Sequence, residues 1–233
     1  MRFGRFFHKK TTAFLPDSPC TSKPGHLSEG QLREQLAAYF ITSPPLSRQT
    51  PEQKAETAQA LELLWQTEVQ SVRHCRGLPR PLAYGDLSAT LLAIAQAAQF
   101  LIGQQRLTLY APLPRPLYAT FEPRLLQLAV VGLLRAVCHA NPAAPVQIAV
   151  THTAGTVSIL VTGSRPGRDP ATLSMVKETA RLHEGSLAVC GGTIGFSLRT
   201  TLSSERPYTA PTADELLQNL VSGVCAGLYR HPR

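Results

Sequence analysis

The chain has 233 residues, 43% of them hydrophobic and 16% charged. This excludes a disordered chain and fits one ordinary domain with helical attachments. The formal net charge of +8 favours acidic partners, but no dense Lys/Arg run with interleaved aromatics supplies a nucleic-acid footprint. Five scattered cysteines (Cys20, Cys75, Cys138, Cys190, Cys225) show neither C-x-x-C nor zinc spacing. They imply free thiols in a reducing compartment, with Cys138 and Cys190 expected as small buried residues inside elements.

The elements follow in chain order. Residues 1–26 are basic, aromatic and then proline-broken. Ser28 and Gln31 form a capping-box pattern that opens a short helix to about Phe40. Thr50 and Pro51 supply a cap and first position for a longer helix to about His74, with Ala58, Leu61, Trp65, Val69 and Val72 as its apolar stripe. The two helices make an antiparallel hairpin. Gly77 and Pro79 to Pro81 mark a boundary. Asp86 caps a helix over 87–103, and strands follow at 105–111 and 118–121. A long helix spans 123–139. Strands at 146–151 and 157–162 flank a turn at Ala154-Gly155. A helix over 170–184 ends at a Gly185 cap. Strands at 186–190 and 194–202 come next, then a last helix over 212–228 that is expected to dock on its own domain through Leu216, Leu220 and Val224. This order predicts a two-layer α/β (α+β) sandwich, a mixed sheet with helices on one face.

The most apolar window, Leu91 to Ile102, is interrupted by Gln96 and Gln99 and is too short to cross a bilayer. The start, MRFGRFFHKKTTAFLP, has no continuous apolar run of the kind a secretion signal needs. The expectation is a cytoplasmic protein with no membrane span.

From Asp86 to Leu202 the chain resembles the ATP-binding domain of sensor histidine kinases, within the wider GHKL ATPase superfamily. The resemblance rests on D-L-S-A-T-L-L-A-I, L-T-L-Y-A-P-L-P, F-E-P-R-L-L-Q-L, and the closing run L-S-M-V-K-E-T-A-R-L-H-E-G-S-L-A-V-C-G-G-T-I-G-F-S-L. It implies a histidine-kinase ATPase fold preceded by a dimerisation-like helical hairpin. The division expected is a basic segment at 1–26, the hairpin at 27–80, the ATPase-like domain at 81–203 and a helical extension at 204–233. In the family the long helix carries an asparagine that holds Mg²⁺. Here Gly132 and Ala136 stand at the asparagine positions, and neither offers the oxygen ligand that magnesium requires. Where the family has an adenine-binding Asp and its glycine box, this chain has V-T-G-S-R-P-G. Gly163 replaces the Asp, Arg165 replaces a glycine, and Gly167 matches. Pro170 and Thr172 occupy the place of the glycines that cradle phosphate, and the segment that forms the family's lid is absent. The hairpin has no family-type phosphoacceptor: His26 lies before its first helix and His74 ends its second, neither beside an acid. His139 and His183 read as helix-end structural residues.

The resemblance therefore implies a degenerate signalling protein without kinase activity and without a cofactor. Its partners would be a receiver domain or another kinase, with a homodimer through the hairpin as a further possibility. One alternative is an active histidine kinase of a two-component phosphorelay, binding ATP and Mg²⁺ through recruited ligands such as Glu122, Asn141 or Asp169. Another is a nucleic-acid-associated protein, which only the basic charge supports.

Overall fold

The computed structural model describes residues 29–44, 48–74, 81–103, 106–110, 116–140, 143–163, 169–204 and 206–229. His26, Asn141, Arg165 and Gly167, and the boundary at Gly77 to Arg80, lie outside the described residues.

Two helices lead. Helix α1 (Glu29–Thr42) and helix α2 (Pro51–His74) are joined by a turn that Gln49 braces, its amide bonding Pro44 O at 2.9 Å and its carbonyl accepting Thr57 Oγ1 at 3.0 Å. Thr50 caps α2, and Gln53 reciprocates by accepting the Thr50 amide. Along α2 the expected stripe is buried at Leu61, Trp65, Val69 and Val72, while Ala58 is only half-buried.

The domain body then begins with a strand that sequence reading passes over, β1 (Ala83–Asp86), followed by α3 (Leu87–Ile102), β2 (Leu107–Tyr110), β3 (Tyr118–Phe121) and α4 (Pro123–Ala140). Four residues after a proline carry too little alternation to announce β1. It forms because β3 pairs with it antiparallel, Ala83 opposite Phe121. Asp86 caps α3 as expected, accepting the Ala89 amide at 3.1 Å. Strands β4 (Val146–Thr153) and β5 (Thr156–Thr162) are joined at Ala154 and Gly155, both at positive φ (48° and 76°), the conformation of a tight type I′ hairpin turn. Helix α5 (Pro170–Leu182), strands β6 (Leu187–Cys190) and β7 (Thr193–Arg199), and two short helices, α6 (Ala213–Gln218) and α7 (Gly223–Leu228), complete the order.

The main sheet has the order β2-β4-β5-β7-β6, with β2 parallel to β4 and every other pair antiparallel. One face is apolar: Ile148 and Val150, Val157 and Ile159, and Phe196 and Leu198 are all buried there. Helices α3, α4 and α5 cover that face. This is the expected two-layer arrangement, a mixed sheet with helices on one side.

The attachments pack onto the helical layer. Helix α2 lies against α5 and α7, α6 against α3, and α7 against α4. One continuous core runs from Leu36 on α1 through the sheet to Leu228 on α7. Contact between α7 and its neighbours is close because Gly227 has no side chain: a Cβ there would lie 2.9 Å from Trp65 Cζ3. The segment before α6 also joins the body, since Tyr84 N donates to Arg206 O and Tyr208 N to Tyr84 O.

Three expectations are corrected. The last helix is two helices, because Asn219 leaves helical geometry (φ −86°, ψ 91°) and Ser222 starts a new turn by accepting the Cys225 amide. The left-handed residue after α5 is Glu184 (φ 52°), not Gly185. Gly185 is required instead by crowding, since a Cβ there would overlap the Ser197 carbonyl. Cys190 is exposed, because β6 is the sheet edge. The Leu91 window falls in α3, which is too short to cross a bilayer, as expected; among the described helices α4 alone is long and apolar enough by length and composition. Its apolar side chains are spent on the core, with 67% of it buried.

Candidate functional site

Between the end of α4 and the start of α5 lies an open cleft of about 370 Å³ lined by Arg135, Ala136, His139, Ala140, Asp169 and Thr172. Four of these come from the last turns of α4 and two from the start of α5, so the site lies where one helix ends and another begins.

The start of α5 is closed by its own chain. Asp169 caps it, with Oδ1 accepting the Ala171 amide at 3.0 Å and Oδ2 accepting Thr172 Oγ1 at 2.5 Å, and Pro170 contributes no N–H. The positive end of the α5 dipole therefore already carries a carboxylate. On the α4 side, Arg135 is also committed. Its Nη2 reaches both oxygens of Glu62 on α2 at 2.7 Å, and Nη1 donates to Gly227 O at 3.1 Å. Its guanidinium lies 5.4 Å from the Trp65 ring centroid.

Beneath the cleft the packing is tight. At Gly132 a Cβ would lie 2.9 Å from Thr172 Cγ2 and 3.0 Å from Met175 Cε, so α5 rests directly on that turn of α4. At Gly163, just after β5, a Cβ would overlap Val137 Cγ1. The far end of α5 is tied differently. His183 is fully buried, its Nδ1 donating to Thr179 O at 2.7 Å and its Nε2 accepting the Glu122 amide at 2.9 Å. This assigns the proton to Nδ1. Burial pushes the imidazole pKa below its usual value, opposed in part by the Thr179 bond. Glu122 in turn caps α4 by accepting the Leu125 amide.

Comparison with solved structures places this arrangement. The match to full-length ShkA, solved in complex with AMPPNP, has a TM-score of 0.50 at 14% identity and covers 75% of this chain and 44% of that one. The fold is that of a histidine-kinase ATPase domain. The chain thus spans less than half of ShkA. The histidine kinase AdeS of Acinetobacter baumannii gives 0.48 at 13% identity over 73% of this chain and 92% of that one. The ATP-binding domain of PrrB from Mycobacterium tuberculosis gives 0.42 at 20% identity over 54% of this chain and 100% of that one. No family model matches the sequence. No curated protein matches it either.

Within this histidine-kinase fold, the positions singled out from sequence fall into two groups. Ala136 and Thr172 line the cleft, and Gly132 and Gly163 lie in the packing beneath it. His74 is elsewhere, exposed at the last residue of α2 and not among the cleft-lining side chains. Of the ligands suggested for a rearranged site, Asp169 is at the cleft and Glu122 is at the start of α4, bordering a second, smaller pocket with Arg124 and Tyr208. Sequence reading missed Arg135 and Val137. A lone Arg inside the apolar run of α4 was the available signal for the first, since a buried charge needs a partner. Nothing local marks Val137.

Proposed function

We propose that this protein is a histidine-kinase-like signalling component that does not carry out phosphoryl transfer and acts in the cytoplasm through protein contacts. The observation that carries this reading is the state of the cleft floor. The space an adenine-binding Asp would need at Gly163 is taken by Val137. Magnesium takes oxygen ligands, and Gly132 and Ala136 bring none. Phosphate is drawn to free amides at a helix start, whereas Asp169 already fills that role at α5 and would repel an incoming anion. The residues present therefore do not fit Mg-ATP.

The helical preface supports the same reading. A hairpin that delivers a histidine to a nucleotide must move relative to the domain. Here α2 is bound to α4 by Arg135–Glu62 and by the partly buried Arg124–Glu68 pair, and Trp65 is packed against α7. A fixed hairpin suits a scaffold. A basic chain of this kind suits an acidic receiver domain or a related kinase as partner.

Calorimetric titration with ATP, a non-hydrolysable analogue and Mg²⁺, with thermal unfolding in parallel, tests the proposal. The expected result is no heat and no shift at millimolar nucleotide. Magnesium-dependent binding at micromolar concentration would restore the active-kinase reading, with Asp169 as the first ligand to mutate.

A further inference from the structure

Helix α2 is held to the body by two helices. One is α5, which covers the sheet and cannot leave without uncovering it. The other is α7, which lies against α2, α3 and α4. All six residues of α7 are buried, and its two glycines stand at close contacts. A Cβ at Gly227 would lie 2.2 Å from Val131 Cγ1 on α4 and 2.9 Å from Trp65 Cζ3 on α2. At Gly223 it would lie 3.0 Å from Leu128 Cδ2 on α4. Arg135 closes the same joint. Its guanidinium donates to Glu62 of α2 and to the Gly227 carbonyl of α7, so one side chain of α4 ties both. That carbonyl is one that a helix end leaves without an internal partner.

We infer that α6 and α7 form a clasp, a unit that opens before the rest of the fold and whose seating decides whether the hairpin is held or free. The cohesion of α7 is slight. Its six residues fall well short of the ~12–15 at which an isolated helix becomes marginally stable in water. Gly223 and Gly227 weaken it further. Val224, Cys225 and Ala226 are small and bring little apolar area. Among the described residues, the hydrogen bonds of α7 stay within the clasp, apart from the one Gly227 O accepts from Arg135. Ser222, for example, accepts the Cys225 amide at 3.2 Å and donates to Leu216 O at 2.8 Å. No strand runs through the clasp, so it can lift away with the sheet intact. Such an element belongs to the low-stability end of a fold. What it covers is substantial. Trp65, the single tryptophan, is 2% exposed and stands in the buried stripe of α2 with Leu61 and Val69. Opening uncovers that stripe, breaks the Arg135 tie at Gly227, and gives the hairpin the movement that the closed state denies it. The inference rests on the fixed hairpin described above and not on the nucleotide site, so calorimetry and the experiment below can fail separately.

Native-state hydrogen exchange of the full chain tests it, with Trp65 emission and acrylamide quenching in parallel. In the wild type, α6, α7 and the turns of α2 around Trp65 should exchange together, through an opening that leaves β4, β5 and β7 protected. Gly227→Ala should speed exchange in those turns of α2 by about tenfold or more, move Trp65 emission to longer wavelength and leave β5 as protected as before. Ser222→Ala removes the α7 cap, whose hydrogen bonds stay within the clasp. It should act in the same direction with a smaller effect, and it decides alone if Gly227→Ala fails to fold. Exchange of α2 and the sheet at one common rate would overturn the inference, since α7 would then be an ordinary part of the core. So would an α7 that opens while α2 and Trp65 stay protected.

Discussion

Helix α5 has two ends that have been treated differently. Its C-terminal end is knitted into the fold: His183 joins Thr179 to the start of α4, and Glu184 takes the left-handed position while pairing with Arg199. Its N-terminal end, where a histidine-kinase domain would present amides to phosphate, is capped by its own Asp169. The contacts at the first end hold two helices and a strand together, so losing them would cost the fold. Those at the second only close the helix end with its own carboxylate, a smaller share of the fold's stability. The difference separates architecture from chemistry inside one thirteen-residue helix.

The largest effect is expected at the architectural end. His183→Ala leaves the Glu122 amide unpaired in a buried site and opens a cavity, a cost of roughly 3–4 kcal/mol. For a chain of this size that lowers the melting temperature by about 10 °C, which thermal unfolding at pH 7.5 reads directly. His183 also sets a pH dependence. Its folded pKa is depressed, so the unfolded chain binds a proton first as pH falls. The stabilisation is complete above the unfolded value near 6.5 and is lost as pH falls toward the folded pKa. The wild type should lose stability between pH 7 and pH 5. His183→Phe, which cannot titrate, should be flatter across that window. Equal slopes would remove His183 from the account.

What sequence could show follows the same division. The stripe of α2, the Asp86 and Thr50 caps and the Ala154-Gly155 turn are local patterns, and each folds as its residues dictate. The order of elements carried the two-layer sandwich. The residue types at Gly132 and Gly163 were legible too, because they are what they are in any fold. What filled the space was not. Val137 reaches Gly163 only through the register of α4 against β5. Arg135 finds Glu62 across 73 positions of chain. The break at Asn219 hid because one apolar stripe runs through both short helices, with no Gly or Pro between them. Ser222, a good N-cap inside that stripe, was the unused clue.

Placing at Gly163 the Asp that the resemblance implies sharpens the comparison from the other side. Gly163→Asp forces a side chain into the space Val137 holds, a strain of about 2 kcal/mol, seen as a drop of several degrees in melting temperature. Adding Val137→Ala should return most of that loss, since the two sites share one volume and are coupled. An additive outcome, with no rescue, would mean that Val137 does not fill the position. Adenine recognition is not expected from Gly163→Asp alone, because Asp169 still occupies the start of α5.

The smallest effect belongs to that cap. Asp169→Ala frees the Ala171 amide and the Thr172 hydroxyl at the cleft and removes a favourable charge from the helix start, for about 1 kcal/mol. The structural loss is slight because the end faces solvent, where water replaces the cap. Electrostatics should change more than stability: with the carboxylate gone, the dipole end becomes the natural seat for an anion. Pyrophosphate should then raise the melting temperature of Asp169→Ala and leave the wild type unmoved, with the gain falling at high salt. If pyrophosphate stabilises both proteins equally, Asp169 does not guard the cleft, and the proposed loss of nucleotide chemistry rests on α4 and Gly163 alone.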